Sequence, residues 1–214
     1  ETDIKQDGSV GYYQTVNKTT PVAGDVKYVD RNGDGVVDDN DRDIIGNPNP
    51  DFTYGFQTKV SWKSLSLSAS FNGVQGRDIL NVGNRYNNTP GTKSNNVTRK
   101  AFQNMWTDEN PSNLYPKSTF VVQNMVMDRY VEDGSYLRCS DITLSYVLPA
   151  KWTNKIGIKN TSVYASVKNA FVITDYSGYD PEVNSFAFDG LRPGVDMNSY
   201  PTPRSFVFGL NLTF

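Results

Sequence analysis

Five stretches of this chain alternate apolar and polar side chains with a period of two, which commits them to β-sheet with two chemically different faces. In FTYGFQTKVSW, Phe52, Tyr54, Phe56, Val60 and Trp62 share one side, while Thr53, Gly55, Gln57, Lys59 and Ser61 share the other. In LSLSASFNG, Leu65, Leu67, Ala69 and Phe71 oppose Ser66, Ser68, Ser70 and Asn72. Only Lys63 and Ser64 separate these two runs, which predicts a hairpin. YLRCSDITLSYVLP sets Ile142, Leu144, Tyr146 and Leu148 against Asp141, Thr143 and Ser145, and stops at Pro149. TSVYASVKNAFV sets Val163, Ala165, Val167 and Phe171 against Ser162, Ser166 and Lys168. SFVFGLNLTF sets Phe206, Phe208, Leu210, Leu212 and Phe214 against Ser205, Val207, Gly209, Asn211 and Thr213. The predicted strands are 52–62, 65–73, 135–148, 161–172 and 204–214.

The links between these strands alternate in length: two residues, then about sixty, roughly a dozen, and about thirty. Short and long connections therefore gather at opposite ends. That asymmetry suits an all-β transmembrane barrel with short turns on one side and long loops on the other, and soluble sandwiches keep most links short. Inside the longest link, VTRKAFQNMWTDENPSN places Val97, Ala101, Phe102, Met105 and Trp106 at helical spacing before Pro111, which predicts one short loop helix.

Composition removes several alternatives. The 21 basic and 23 acidic residues leave a net charge of −2, which gives no nucleic-acid footprint. With no histidine, the chain lacks the usual general base and any Ser-His-Asp or Cys-His pair, and it is expected not to be an enzyme. The lone Cys139 has no internal disulfide partner. No apolar run reaches the roughly 20 residues of a membrane helix, although barrels hide their membrane signal in alternation. The opening ETDIKQDG reads as that of a processed or partial chain.

One motif carries ion chemistry. DRNGDGVVDDND has the spacing of a twelve-residue calcium loop, in which oxygen ligands come from positions 1, 3, 5, 7, 9 and 12. Asp30, Asn32, Asp34, the Val36 carbonyl, Asp38 and Asp41 occupy those positions, with Gly35 at the sharp turn. Asp41 replaces the usual bidentate Glu, and Asp43 stands near enough to substitute. GDVKYV before the loop reads as a short strand, and Pro48 leaves no room for a helix after it. The expected role is a structural brace, because no second loop or helix pair is present to form a switch.

From Gly24 onward the chain resembles the C-terminal part of SusC/RagA-type TonB-dependent outer-membrane transporters of Bacteroidota. The likeness rests on GDVKYVDRNGDGVVDDNDRDIIGNPNPDFTYGF, YLRCSDITLSYVLP, VYASVKNAFVITDYSGYDPEV and YPTPRSFVFGLNLTF, in that order. It implies a large antiparallel barrel of about 22 strands around an internal plug, of which this chain supplies the last five. It also implies uptake of a bulky glycan or peptide with a SusD-like surface lipoprotein, driven by TonB through an N-terminal plug segment absent from this sequence. Five strands alone would leave open edges and a lipid-facing surface in water, so the chain is read as a fragment.

Under the same resemblance, Phe206, Phe208, Gly209, Leu210, Leu212 and Phe214 form the terminal signal read by the barrel-insertion machinery. With Phe214 at the periplasmic end, residues 1–51 and the loops 74–134 and 173–203 are extracellular. The competing reading is a secreted, calcium-stabilised β-sandwich that binds carbohydrate through exposed aromatics. An enzymatic reading would use Asp175, Asp180 and Glu182 as paired carboxylates for glycoside hydrolysis. Tyr86, Trp106, Tyr115, Tyr176 and Tyr179 are loop aromatics for cargo stacking or packing, with no individual singled out.

Overall fold

A computed structural model describes residues 22–26, 28–89, 96–118, 126–153, 158, 160–182, 185–186 and 188–213. The chain divides into two units, Glu1–Ile45 with Gly83–Asp128, and Gly46–Val82 with Arg129–Phe214. The second unit holds the main sheet. Its strands are β1 (Phe52–Trp62), β2 (Leu65–Gln75), β5 (Tyr136–Val147), β6 (Asn160–Thr174) and β8 (Ser205–Thr213). They run in the order β1-β2-β5-β6-β8, and every pair is antiparallel. Phe214 lies outside the described residues.

Register carries the alternation across the whole sheet. Phe56 pairs with Phe71, Cys139 with both Phe71 and Phe171, and Val163 with Leu210 on the apolar face. Gln57 pairs with Ser70, Thr143 with Ser166, and Ser162 with Asn211 on the polar face. The apolar face is uncovered: Phe206 is 66% exposed and Phe208 78%, with Phe56, Val60, Trp62 and Leu210 also exposed. A sandwich needs a second sheet over this face, and none covers it among the described residues. Phe56 stacks on Phe71 at 4.5 Å between centroids, and Phe171 meets Phe71 edge-on, so aromatics band one end of the apolar face. Trp62 and Tyr146 stand at the other end, about 26 Å from Tyr54 along the strand, and β1 at 11 residues has the length of a tilted membrane strand.

Two irregularities shape the strands. Lys63 adopts φ 53° in the two-residue turn between β1 and β2, the backbone hand that matches strand twist. In β5 the register shifts at Ser140, which is bulged against β2 and donates from Oγ to the Ser70 carbonyl at 3.1 Å. The bulge reverses the parity of β5, so Tyr136 and Arg138 join the polar face, whereas strict alternation would place Arg138 beside Ile142.

A second, three-stranded sheet has the order β4-β3-β7, from β3 (Asp78–Asn81), β4 (Val131–Asp133) and β7 (Val195–Asp196). It joins the two long connections of the main sheet at one end. No sequence signal marked these strands, which are two to four residues long. The short α3 (Ala150–Thr153) lies in the β5–β6 link at the other end.

The first unit contains α1 (Val82–Asn88, entering from the second unit), α2 (Arg99–Asn104) and the acidic loop. The predicted loop helix corresponds to α2, capped by Thr98 Oγ1 accepting from the Ala101 amide at 3.2 Å. It ends earlier than the spacing suggested, because Met105 turns extended and bridges to Tyr115. The expected strand GDVKYV is absent among its described residues; Val22 to Asp25 form a turn instead, with the Asp25 amide bonded to the Val22 carbonyl at 3.0 Å.

Candidate functional site

The acidic loop folds onto its own amides. Asp30 accepts from the Gly33 amide at 2.7 Å and the Gly35 amide at 2.8 Å, and both glycines have the positive φ such a turn requires. Asn32 Oδ1 accepts from the Asp34 amide, Asp34 Oδ1 from the Val36 amide, and Asp38 Oδ1 from the Asn40 amide. Asp41 closes the ring, accepting from Arg31 at 2.8 Å and from Asp38 at 2.7 Å. Donation from the Asp38 and Arg31 amides holds the Asp41 carboxyl below its ordinary range. Asp43 is ion-paired with Arg31.

The donor set has the hard oxygens calcium takes, and a carboxylate offers roughly four lone-pair positions, so one or two amide bonds leave capacity for an ion. Among the described residues no three acidic side chains converge on one point. The Asp41 carboxylate closes the loop head to tail through the Arg31 and Asp38 amides.

The polar face of the main sheet carries a compact network. Asp141 Oδ2 lies 2.5 Å from Lys168 Nζ and accepts from Ser166 Oγ at 2.8 Å. Thr143 Oγ1 donates to Asp141 Oδ1 at 2.8 Å. Nearer the end with long connections, Arg138 is buried and meets two carboxylates. Its Nη2 is 2.5 Å from Asp180 Oδ1, and its Nε is 2.6 Å from Glu182 Oε2, a close ion pair whose N–H is not aligned as a hydrogen bond.

Asp180 is the hub of this cluster, with Oδ1 also accepting from the Glu182 amide at 2.9 Å and Oδ2 from the Thr202 amide at 3.0 Å. Burial raises its pKa, but the Glu182 and Thr202 amides and the Arg138 charge outweigh burial and leave the carboxyl below its usual range. Glu182 Oε1 accepts from Tyr136 Oη at 2.6 Å and from Asn72 at 3.2 Å. Arg77 donates to the Pro181 carbonyl. The carboxylates considered for hydrolysis are thus engaged with guanidinium, phenol and amide groups, and Asp175 is exposed apart from them. Arg138 carried no signal in the sequence, because only the bulge at Ser140 turns it to this face.

The proposed assembly residues Phe206, Phe208, Leu210 and Leu212 all lie on the apolar face of β8. Gly209 lies on the other, where the Tyr164 ring occupies the space a side chain would take: an added Cβ would stand 2.2 Å from the ring. Of the loop aromatics, Tyr176 is buried and donates to Asp196 Oδ2 at 2.7 Å; burial first, and then that bond, push its phenol pKa up. Trp106 packs on Gly24. Tyr179 is 73% exposed and Tyr86 36%.

No family model matches the chain. It is 35% identical over 201 residues to TonB-dependent receptor P26 of Formosa agariphila, covering 90% of this chain and 20% of that protein. It is 34% identical over 194 residues to TonB-dependent receptor SusC of Bacteroides thetaiotaomicron, covering 87% of this chain and 17% of that protein. The chain spans about a fifth of the length of these curated relatives. The RagAB peptide importer in its closed-closed state superposes with a TM-score of 0.66 at 30% identity, over 80% of this chain and 18% of that one. Its open-open state gives 0.67 at 27% identity, over 95% of this chain and 20% of that one. With a two-faced antiparallel sheet, an uncovered apolar side and this similarity along nearly its whole length, the chain belongs to the SusC/RagA family of TonB-dependent outer-membrane transporters and forms part of their barrel wall.

Proposed function

We propose that this segment forms wall and outer vestibule in a SusC-like transporter that imports a bulky nutrient, a glycan or a peptide, with a SusD-like lipoprotein. The main sheet carries this reading: its apolar face suits lipid, and its polar face suits the plug and the passage beside it. The open edges of β1 and β8 suit pairing with strands elsewhere in the same protein. The segment makes and breaks no bond; TonB acting on the plug supplies the energy. The end with long connections faces outward, which puts the acidic loop, 74–134 and 173–203 outside the cell.

Calcium at Asp30, Asn32, Asp34, the Val36 carbonyl, Asp38 and Asp41 braces the loop before β1. The spacing of these oxygens and the closure of the loop by Asp41 support this assignment. Calorimetry on the full-length protein is expected to show calcium heat that Asp30→Asn with Asp34→Asn removes. No heat at millimolar calcium would contradict it.

Transport is tested in the source bacterium. Deleting the full-length gene is expected to abolish growth on one class of glycan or peptide, and the tagged transporter is expected to carry a surface lipoprotein through detergent extraction. Unchanged growth across both classes, with no lipoprotein retained, would overturn the reading.

A further inference from the structure

Asp180, Pro181 and Glu182 lie against the polar face of the main sheet, within its strands. Asn72 and Arg138 are cross-strand partners on that face, and Val74 and Tyr136 are the next pair toward the long connections. Asn72 stands three residues before the end of β2 at Gln75, so the turn reaches about 10 Å below the strand end. If β5 kept strict alternation, Arg138 would face lipid; the Ser140 bulge brings it inward to meet the turn.

The turn is held at every point. Asp180 binds Arg138 and the Thr202 amide, so it ties the start of the β6–β8 connection to its end as well as to the wall. Glu182 binds Arg138, Tyr136 and Asn72, which spans β2 and β5. Arg77 fixes the Pro181 carbonyl from the opposite connection. The Arg138 guanidinium meets both acids, a second guanidinium, Arg77, binds the carbonyl between them, and Arg138 and Asp180 are almost wholly buried. A cluster so neutralised has little charge with which to attract cargo; it is suited to holding position.

We propose that Arg138 is a positioning residue that anchors the β6–β8 connection inside the barrel, making Asp180-Pro181-Glu182 a fixed constriction on the import path. The proposal rests on the barrel reading, which makes the polar face the inner one.

The test uses intact cells carrying the full-length transporter, free of other exposed cysteines, with Ser70→Cys placed on the inner face below the turn. Native Cys139 is fully buried and faces the other side. Labelling rates are compared for a small maleimide and a bulky polyethylene-glycol maleimide, and unboiled gel mobility reports the folded barrel. The small reagent is expected to react and the bulky one to be excluded. In Arg138→Met, and in Asp180→Asn with Glu182→Gln, the bulky-to-small ratio is expected to rise roughly a hundredfold, because each leaves the other partners uncompensated.

If Arg138→Met fails to assemble, the paired loop variant decides, since neither of its residues lies in a strand. An unchanged ratio in a folded barrel overturns the constriction while leaving the barrel intact. Failure of the small reagent to react in a folded barrel overturns it too, because another element then closes the path. Absence of a folded, membrane-bound barrel in the unmutated protein overturns the barrel reading itself.

Discussion

Arg138 and Asp180 show how a single residue decides what a loop does. Asp180 has a depressed pKa in the folded protein, so its contribution is fully present above the unfolded value and lost as pH falls through the folded one. Hydrogen exchange across 175–182 is therefore expected to stay protected near neutrality and to loosen only below about pH 4, the ordinary aspartate range. Loosening near pH 6 would assign the protection to another group. Tyr176→Phe removes the donor to buried Asp196 and is expected to cost about 1–3 kcal/mol, read as lower thermal stability of the extracted protein.

At this scale the sequence was legible where spacing shapes the backbone. The alternate short polar side chains from Asp30 to Asp41 marked a tight turn, and they fold onto its own amides around Gly33 and Gly35. Asp180 and Glu182 stood out only as loop carboxylates, with hydrolysis a lesser reading of them. Their partner Arg138 was invisible, since one bulged residue determines which way it points.

The strands were the most legible elements, because each must present one face to lipid and the other to a polar interior. β8 tests that division. Phe208→Lys is expected to cost about 2–4 kcal/mol near the membrane midplane, whereas Asn211→Lys on the other face is expected to be nearly neutral, as read by folded barrel recovered from membranes. Gly209→Val would drive a side chain into the Tyr164 ring and is expected to cost about 1–3 kcal/mol; adding Tyr164→Ala should recover most of it. Equal losses with and without Tyr164 would show that the glycine matters for another reason. The small sheet β4-β3-β7 escaped notice because two to four residues carry no periodicity, and it is held by neighbours distant in sequence.

For the whole molecule, the decisive fact is what the sheet leaves unfinished. β1 and β8 have open outer edges among the described residues, and the apolar face is uncovered from Phe52 to Leu212. In water this arrangement would aggregate; in a closed barrel within lipid each exposed group has a partner. The central claim is that β8 alternates between lipid and interior. Nitroxide scanning of residues 205–212 in the full-length protein, reconstituted in bilayers, measures it directly. Labels at Phe206, Phe208, Leu210 and Leu212 are predicted to be accessible to oxygen dissolved in lipid, and those at Ser205, Val207 and Asn211 are predicted to be shielded from it. Uniform accessibility along the strand, or apolar positions in contact with water, would contradict the account.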